Sequence, residues 1–307
     1  MAILPPPTSI DRIYNLLAII ANLFVLIISS ILLCFILIRL KCFQSFQKKS
    51  SQTIPILLSM NTLSLLLIRS FLQMLDIDWN LIKRNYFSIM EYDNSFACQC
   101  RGYFLLSIHV ALYWSYALHA FYRFIRVLYA KSNYFHRFST YLYVMIPGQY
   151  TISFLTILPL FRGFNVIYLL PNEPYCTASY HELASLIYMP VVSFLLPISA
   201  ICICYFSILW KTNRSKKAVR IVRPKHRRDR QVLHRIIVIL AILNAVLLPL
   251  FVDLFLHLPK GHIDPHMNSI GWVASTFNAV ILALSIPFIN PHIYKLLRRR
   301  HQSHSLI

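Results

Sequence analysis

Long apolar stretches without a charged side chain dominate the chain. Seven of them contain no Asp, Glu, Lys or Arg, and they are residues 13–38, 50–68, 102–122, 138–161, 183–210, 236–252 and 265–294. Each is close to the length, about 20 residues, that a helix needs to cross a hydrocarbon layer ~30 Å thick. Because backbone in lipid must satisfy its own hydrogen bonds, the pattern predicts seven transmembrane helices.

The predicted fold class is an all-α membrane protein with a seven-transmembrane helix bundle, forming a single domain over residues 1–307. The predicted helices, numbered 1 to 7 in chain order, are residues 13–38, 52–75, 98–127, 139–160, 183–210, 231–256 and 267–294, and a short amphipathic tail follows at 295–307. Composition agrees, since 57% of the residues are hydrophobic and 13% are charged, too apolar for one soluble domain. The first stretch exceeds the apolar core of a cleaved signal, so we expect helix 1 to be retained.

The segments that connect these stretches differ in charge. Residues 39–49, 123–137, 211–235 and 295–300, which would share one side of the membrane, carry 23 of the 30 Lys and Arg residues and a single acid, Asp229. The opposite segments carry nine of the ten acids. Because Lys and Arg are retained on the cytoplasmic side, we expect the N-terminus outside and the C-terminus inside.

The net charge of +20 is therefore expected to be a cytoplasmic feature. Eleven basic residues lie in residues 211–235 alone, more than orientation requires. Anionic lipid of the inner leaflet or a cytosolic partner explains this excess better than a nucleic acid does. The simpler alternative is that these charges only set the topology, and it accounts for part of them.

Several classes of protein have seven helices in this orientation. A retinal-binding pump needs a lysine in its last helix for the Schiff base, and residues 265–294 contain none. Pumps and transporters keep ionisable residues at the membrane midplane. Here Arg69 is the one charged residue near a predicted span, toward the outer end of helix 2, and no internal repeat supports a transporter.

Candidate metal ligands cluster around the predicted loop between helices 6 and 7. They are Asp253, His257, His262, Asp264 and His266. His and Asp side chains can bind Zn²⁺ in an intramembrane hydrolase. A rigid helical pair of ligands is not evident, so a solvated polar loop is the stronger interpretation, and we predict no metal, no cofactor and no catalytic residue.

Short motifs recur in register along the chain. NPHIY, residues 290–294 at the inner end of helix 7, contains a proline that removes one backbone hydrogen bond and leaves a deformable kink. Helix 1 contains ANLFV, helix 3 ends in FYRF, helix 5 has Pro197 with a tyrosine eight residues later, and helix 6 has Pro249. Together these resemble the NPxxY, GNxxV and DRY motifs and the helix prolines of rhodopsin-like G-protein-coupled receptors, of which the chain looks like a divergent, orphan-type member.

The resemblance implies roles for particular residues. The implied activation switch comprises Asn22, Arg123, Tyr205, Asp229, Pro249, Asn290, Pro291 and Tyr294. Asn22 is implied to lie at a polar contact between helices 1, 2 and 7. A disulfide is implied between Cys98, which lies 25 residues before Arg123, and Cys176 in the second outer loop, with Cys100 as the competing cysteine. Such a bond suits a loop that faces an oxidising compartment.

The chain also departs from the family pattern. Tyr122 replaces the acid that precedes the helix 3 arginine and restrains it, so Arg123 lacks that ion pair. Leu66 stands near the place of the sodium-binding aspartate of helix 2, which makes sodium modulation doubtful. Leu247 and Gln149 replace the usual tryptophans of helices 6 and 4, so ligand sensing is expected to use other side chains.

One retained acid suggests a replacement restraint. Asp229 lies 20 residues before Pro249, where acid-bearing members of the family place the partner of the helix 3 arginine. The hypothesis is that Arg123 and Asp229 pair in the resting state. Movement of helix 6 would then break the pair and let Arg123 meet Tyr205 and Tyr294. A solvated aspartate among basic residues is the equally weighted alternative, because exposed pairs contribute only ~0 to 1 kcal/mol.

The ligand is less readable from the sequence. Residues 102–122 contain no acid, so the helix 3 carboxylate of biogenic-amine receptors is absent and an amine ligand is not expected. The candidate ligand-binding residues in the outer half are Arg101, Leu105, His109, Tyr188, Asp253, Trp272 and Asn278. For each one taken singly, satisfied packing is the plainer explanation. A short cationic peptide is favoured by the acids between helices 2 and 3, which are Asp76, Asp78, Glu91 and Asp93.

The resemblance thus implies a multi-pass plasma-membrane receptor that binds an extracellular ligand, a peptide or small molecule, in the outer half of the bundle. It would signal to a heterotrimeric G protein through outward movement of helix 6. Its tail, residues 295–300, would lie on the anionic inner leaflet. The chief alternative is a seven-transmembrane chemosensory or scaffold protein that does not couple to G proteins, and an intramembrane metal hydrolase is a more distant one.

Overall fold

A computed structural model describes residues 8–42, 53–87, 94–129, 134–170, 173–178, 183–215, 267–289 and 293. Within these ranges, six helices are long and apolar enough to cross a membrane. They correspond to predicted helices 1 to 5 and 7. Predicted helix 6 and the tail after residue 294 lie outside the described residues.

The helix bounds agree with the apolar stretches and extend beyond several of them. Helix 1 is Ser9–Cys42, helix 2 is Thr53–Phe87, helix 3 is Phe96–Leu128, helix 4 is Phe138–Gly163, helix 5 joins Leu183–Pro190, Val191–Leu195 and Leu196–Ser215, and helix 7 is Met267–Ile289. In the described part of the chain, π-helical turns interrupt helices 2, 4 and 5 at Met74–Asp78, Tyr141–Met145, Pro159–Gly163 and Val191–Leu195. Such turns add a residue to one turn of a helix and re-aim the side chains that follow.

Side-chain caps fix the outer starts of helices 1 and 3. The Thr8 hydroxyl accepts a hydrogen bond from the Asp11 N–H at 3.2 Å, and the Asp11 carboxylate accepts one from the Thr8 N–H at 3.2 Å. This reciprocal arrangement satisfies two backbone donors at the helix start. At helix 3, the Ser95 hydroxyl accepts from the Cys98 N–H at 3.3 Å. The second cap therefore fixes the backbone at a residue of the predicted disulfide.

Helix 2 is longer than its apolar pattern predicts. The prediction ends at residue 75 because Asp76, Asp78, Lys83 and Arg84 interrupt the apolar run, whereas the helix continues to Phe87. The charged residues are accommodated because Asp76, Asp78 and Arg84 are buried against other parts of the protein. Arg69 consequently lies well inside the span of helix 2 and not near its outer end.

Helix 3 is the central helix of the bundle. In its most apolar window 78% of the residues are buried, compared with 22% in helix 4 and 28% in helix 1. The main apolar cluster combines side chains of helices 1, 2, 3, 5 and 7. On the outside of helix 1, Ile13, Ile20, Ile27 and Ile31 are exposed, which is the apolar face that a membrane helix presents to lipid.

A two-stranded antiparallel sheet covers the outer end of the bundle. Strand β1 is Ile167–Leu169 and strand β2 is Cys176–Ala178, with Leu169 opposite Cys176. A disulfide joins Cys176 to Cys98 of helix 3, with the two Cα atoms 5.6 Å apart. The implied disulfide is therefore confirmed, and Cys100 is free.

Gly102 lets the sheet lie directly on helix 3. It is one helical turn after Cys98, and a Cβ atom at this position would be 2.5 Å from the carbonyl oxygen of Cys176 and 3.1 Å from the Cγ2 of Ile167. No side chain fits at such a distance. The glycine and the disulfide together place the hairpin against the same face of the helix.

Gln149 supplies a polar link between helices 2, 3 and 4. Its amide N–H donates to the Ala111 carbonyl at 2.8 Å, and its side-chain oxygen accepts from the Asn61 amide at 3.1 Å. The Tyr150 hydroxyl donates to the Asn61 side-chain oxygen at 3.2 Å. The position where the family places a tryptophan thus holds an amide whose N–H and oxygen are each hydrogen-bonded.

Candidate functional site

A buried arginine organises the polar side chains of the outer half of the bundle. Arg69 of helix 2 is 1% exposed. Its Nε–H donates to Nδ1 of His109 on helix 3 at 3.2 Å, and its Nη2 donates to the Ser275 hydroxyl on helix 7 at 2.9 Å. Nη1 is buried and has no hydrogen-bond partner. One guanidinium therefore joins three helices and retains free hydrogen-bonding capacity.

His109 is held as a neutral imidazole by this contact. Because Nδ1 accepts the Arg69 N–H, it cannot carry a proton itself. The ring is edge-on to Tyr113, with centroids 5.2 Å apart, and edge-on to Phe194 of helix 5, with centroids 6.1 Å apart. Tyr113 and Phe194 are in turn 4.9 Å apart. An aromatic wall from helices 3 and 5 thus borders the arginine.

Asn278 of helix 7 approaches the same wall. It is 1% exposed and lies near the Tyr113 hydroxyl. Neither of its side-chain amide atoms has a hydrogen-bond partner of acceptable geometry. His109 and Asn278, both predicted ligand residues, are therefore brought together around Tyr113, which was not among the predicted ligand residues.

A second set of hydrogen-bonded polar side chains, which includes Asn22, Asp78 and Gln73, lies near Arg69. The Asn22 amide of helix 1 donates to the Asp78 carboxylate at 2.6 Å and to the Ser70 carbonyl at 3.1 Å. The Gln73 amide donates to the Thr276 hydroxyl of helix 7 at 3.2 Å. Asn22 was predicted at a polar contact between helices 1, 2 and 7. The hydrogen bonds described for Asn22 link helix 1 to helix 2. The link from helix 2 to helix 7 is made by Gln73.

Leu105 and Trp272 form an apolar layer one turn outward. Leu105 precedes His109 by one turn of helix 3, and Trp272 precedes Thr276 by one turn of helix 7. Both pack with Tyr175 of the outer loop, whose ring is 5.5 Å from that of Trp272. Tyr175 precedes the disulfide-bonded Cys176, so the hairpin holds this aromatic lid over the polar cluster.

The remaining predicted ligand residues lie apart from this cluster. Arg101 is 58% exposed at the outer surface and pairs with Asp76 at 2.9 Å. Tyr188 of helix 5 turns toward helix 4, where its hydroxyl donates to the Thr156 carbonyl at 2.8 Å. Asp253 lies outside the described residues.

The acids that favoured a cationic peptide are not all at the surface. Asp76 and Asp78 are both buried, the first against Arg101 and the second against Asn22. Glu91 and Asp93 lie outside the described residues. The outer surface between helices 2 and 3 therefore loses two of the four acidic side chains on which the peptide prediction depends.

A buried acid in the second outer loop is poised to titrate near neutral pH. Glu173 faces Arg84 of the outer helix 2 extension at 4.0 Å, with both side chains buried. Burial raises the pKa of Glu173 to about 7, and the neighbouring Asp11 carboxylate adds to the rise, while Arg84 and a hydrogen bond from Tyr175 oppose it. The loop that carries the lid thus contains a carboxyl group whose charge depends on pH.

At the inner end of the bundle, Arg123 approaches helix 5, whereas the ring of Tyr122 packs against helices 2 and 4. The Arg123 guanidinium approaches the Tyr205 hydroxyl of helix 5 closely enough to interact with it electrostatically. Tyr122 is buried in an apolar cluster with Ile54, and its ring is edge-on to Tyr141 at 5.5 Å. The side chain that replaces the family's acid therefore anchors helix 3 to helices 2 and 4. Leu66, in place of the sodium-site aspartate, is likewise buried in the main apolar cluster.

The other five residues of the implied switch lie outside the described residues, and they are Asp229, Pro249, Asn290, Pro291 and Tyr294. Ile293, within the NPxxY-like motif, is described and is buried in the main apolar cluster.

The Lys211 ammonium donates to the Leu128 carbonyl at 3.1 Å, so helix 5 caps the inner end of helix 3. A cation at a helix C-terminus is favourable because the last carbonyls are unpaired.

No metal centre is found in the part of the chain that the structure describes, where no three His, Cys, Asp or Glu side chains converge. The predicted metal cluster around residues 253–266 lies outside that part.

In the sequence, Arg69 stands out only as an isolated charged residue near a predicted span. Its place at the centre of the polar cluster was not predicted. The available signal was the arginine itself, because an ionisable side chain inside a transmembrane helix is costly and is usually functional. Because the predicted helix 2 ends at residue 75, Arg69 was expected near the membrane surface, where a charged side chain is not unusual. Tyr113, Gln73 and Tyr175 carried no comparable signal.

Known proteins resemble the chain at two levels. A family model described as "7 transmembrane receptor (rhodopsin family)" matches residues 79–294. The crystal structure of squid rhodopsin is similar with a TM-score of 0.69 at 16% sequence identity, over 95% of this chain and 85% of the rhodopsin chain. At that identity the structural likeness concerns the fold alone. No curated protein sequence matches the chain.

Proposed function

Because the chain belongs to the rhodopsin family of seven-transmembrane receptors, we propose that it is a G-protein-coupled receptor of the plasma membrane. It binds an extracellular ligand, a short peptide or a small organic molecule, in the outer half of the bundle. Binding favours a conformation in which the inner end of helix 6 moves outward and admits a heterotrimeric G protein. The mechanism needs no catalytic residue and no cofactor.

The observation that carries this proposal is the polar cluster around Arg69 beneath an aromatic lid. It lies in the outer half of the bundle, joins helices 2, 3 and 7, and leaves buried polar atoms of Arg69 and Asn278 without partners. Buried polar groups are normally satisfied, so unsatisfied ones inside a membrane bundle suit a ligand site. His109 and Asn278 were expected there.

The inner end of the bundle supports coupling to a cytosolic protein. Arg123 approaches Tyr205, and the residue before it is a tyrosine that packs in an apolar cluster, so position 122 supplies no carboxylate to restrain the arginine. The hypothesis that Asp229 supplies this restraint predicts that Asp229→Ala raises agonist-independent signalling. A basal signal no higher than that of wild type would remove the proposed lock.

Nucleotide exchange tests the proposed function directly. The purified full-length receptor in nanodiscs is mixed with a panel of heterotrimeric G proteins, and agonist-independent exchange is measured against empty nanodiscs. Exchange above that background on at least one G protein is the expected result. Absence of exchange with every member of the panel, both without ligand and with ligands that bind the receptor, would contradict it.

The second candidate is a seven-transmembrane chemosensory or scaffold protein that does not engage G proteins. The packing of Tyr122 favours it, because position 122, where the family's G-protein-coupled members carry an acid, holds an aromatic side chain that packs against Ile54 and Tyr141. The same exchange assay separates the two functions, since ligand binding without exchange supports the second one. Nothing in the described residues favours an intramembrane metal hydrolase.

A further inference from the structure

We infer that the ligand of this receptor presents a carboxylate, which binds Nη1 of Arg69. The inference rests on the proposed function and specifies the chemistry of its ligand. Arg69 is a cation in the interior of a membrane bundle, where an unpaired charge is costly. The two partners of its side chain, His109 and Ser275, are both uncharged.

The orientation of the guanidinium leaves one edge for an anion. Nε and Nη2 are occupied by His109 and Ser275, which fix the plane of the group. Nη1, with two N–H donors, is buried and unpartnered. A hydrogen bond from a charged N–H group to a carboxylate is shorter and stronger than one between neutral groups, and a guanidinium whose plane is already fixed loses less entropy when it binds. The neighbouring side chains therefore prepare Arg69 for an acidic group.

No carboxylate among the described residues lies within ion-pair distance of Arg69. Asp78 is near enough to act on it electrostatically. Its Oδ2, however, accepts a hydrogen bond from the Asn22 amide of helix 1 at 2.6 Å. Asp78 thus reduces the field around Arg69 without occupying Nη1.

The surroundings indicate what the rest of the ligand looks like. Tyr113 and Phe194 stand edge-on to each other beside His109, and Asn278 offers an unpartnered amide next to Tyr113. Leu105, Trp272 and Tyr175 close the layer above. An acid with an apolar or aromatic body fits this combination of one charge and several rings.

A carboxylate can come from a small organic acid or from the free C-terminus of a short peptide, and the test separates these sources. Purified full-length receptor in nanodiscs is mixed with aliphatic and arylalkanoic acids and their matched carboxamides. A second arm uses short hydrophobic peptides with free or amidated C-termini. Binding is measured as the shift in apparent unfolding midpoint, and nucleotide exchange is recorded in parallel.

Members of the acid series are expected to raise the unfolding midpoint while their amides do not. Arg69→Gln should lower the affinity for the acid at least about 30-fold, because a buried charge pair then loses one partner. Arg69→Lys keeps the charge but loses the planar group that His109 and Ser275 hold in place, and should lower the affinity about 10-fold. Arg162→Gln, an arginine of the outer end of helix 4 that lies over Phe96 and Phe161, is the matched control and should bind normally.

A purely structural role for Arg69 predicts a different pattern. In that case Arg69→Gln lowers the midpoint of the ligand-free receptor and the effects on acids and amides are equal. Under our inference wild type distinguishes acids from amides and Arg69→Gln does not, whatever the midpoint of the ligand-free variant, because that variant also loses the bonds to His109 and Ser275. Ser275→Ala, which frees the guanidinium plane without removing the charge, should weaken acid binding even if Arg69→Gln fails to fold.

Several outcomes overturn the inference while leaving the proposed function intact. The first is that acids and amides stabilise the receptor equally. The second is that no acid in the panel stabilises the receptor in a way that depends on Arg69. The third is that ligands drive exchange with the same potency in wild type and in Arg69→Gln. A different result would be acid-specific binding that depends on Arg69 but produces no nucleotide exchange. It supports the carboxylate site and contradicts G-protein coupling.

Discussion

The contact between the outer hairpin and helix 3 predicts a large effect from a single methyl group. In Gly102→Ala the added Cβ would lie 2.5 Å from the carbonyl oxygen of Cys176. Carbon–oxygen contacts in proteins are ordinarily no shorter than about 3.3 Å, so the two backbones must separate by about 0.8 Å. The hairpin cannot simply move away, because the disulfide at Cys98, one turn earlier, ties the same strand to the same helix.

The expected cost is that of overpacking a closely packed interior, about 1–3 kcal/mol. A change of 1 kcal/mol shifts the midpoint by about 2–4 °C in domains of about 150–250 residues and by less in larger ones, so the apparent unfolding midpoint of this 307-residue chain should fall by up to about 12 °C. Gly148→Ala is the matched control, because Gly148 is also helical and nothing lies within 4 Å of an added Cβ there. Since Ala is the better helix former, that variant should be neutral or more stable by up to ~1 kcal/mol.

Both variants are measured in nanodiscs by intrinsic tryptophan fluorescence during heating. Disulfide mapping by mass spectrometry accompanies each measurement, so that a lost bond is distinguished from a displaced hairpin. If Gly102→Ala unfolds at the same temperature as Gly148→Ala with the disulfide intact, the hairpin does not lie on helix 3 as described, and the geometry of the lid is wrong.

Three further predictions concern stability. Cys98→Ser should abolish the outer disulfide and lower the unfolding midpoint, whereas Cys100→Ser should change neither; equal effects would contradict the pairing. Because the folded-state pKa of Glu173, about 7, exceeds its ordinary value of 4.5, its contribution to stability is complete below pH 4.5 and is lost as the pH rises through 7. The midpoint of wild type should therefore fall more between pH 5 and pH 8 than that of Glu173→Gln, and parallel profiles would refute the assignment. Gln149→Leu should cost about 1–3 kcal/mol, because Asn61 loses an acceptor and the Ala111 carbonyl a donor in the bundle interior; an unchanged midpoint would show that these bonds contribute nothing.

The overall architecture was predictable because membrane helices are specified by length and composition. Lipid allows few alternatives to a helix, so a charge-free stretch such as residues 13–38 indicates its own structure. Spacing from a motif residue then located Cys98, which the structure pairs with Cys176. Both inferences use local properties of the chain, and local properties are present in a single sequence.

The composition of the site was harder to predict because it depends on which side chains face one another. Arg69 becomes important only when helix 2 continues past Asp76 and Asp78, and that continuation depends on tertiary partners such as Arg101 and Asn22. Charge usually ends a predicted span, but here buried partners accept the charges. The hairpin was missed for a similar reason, since its strands are three residues each and are held by a disulfide and a glycine.

The contacts of helix 3 suggest how occupancy of the outer site would reach the cytoplasmic end in the proposed mechanism. Arg69 bonds helix 3 through His109 and helix 7 through Ser275, so an anion at Nη1 acts on both helices at once. Further inward, the Tyr116 hydroxyl of helix 3 donates to the Leu282 carbonyl of helix 7 at 3.0 Å. A ligand can bias a conformational equilibrium only by its different affinity for the two states. A carboxylate binds more tightly in whichever state points Nη1 of Arg69 toward it. That orientation is set by the relative position of helices 3 and 7, which carry His109 and Ser275. The same relative position governs where Arg123, at the inner end of helix 3, stands with respect to the inner end of helix 7 at Ile289, so in the proposed mechanism occupancy of the outer site would be transmitted to the cytoplasmic end through these two helices.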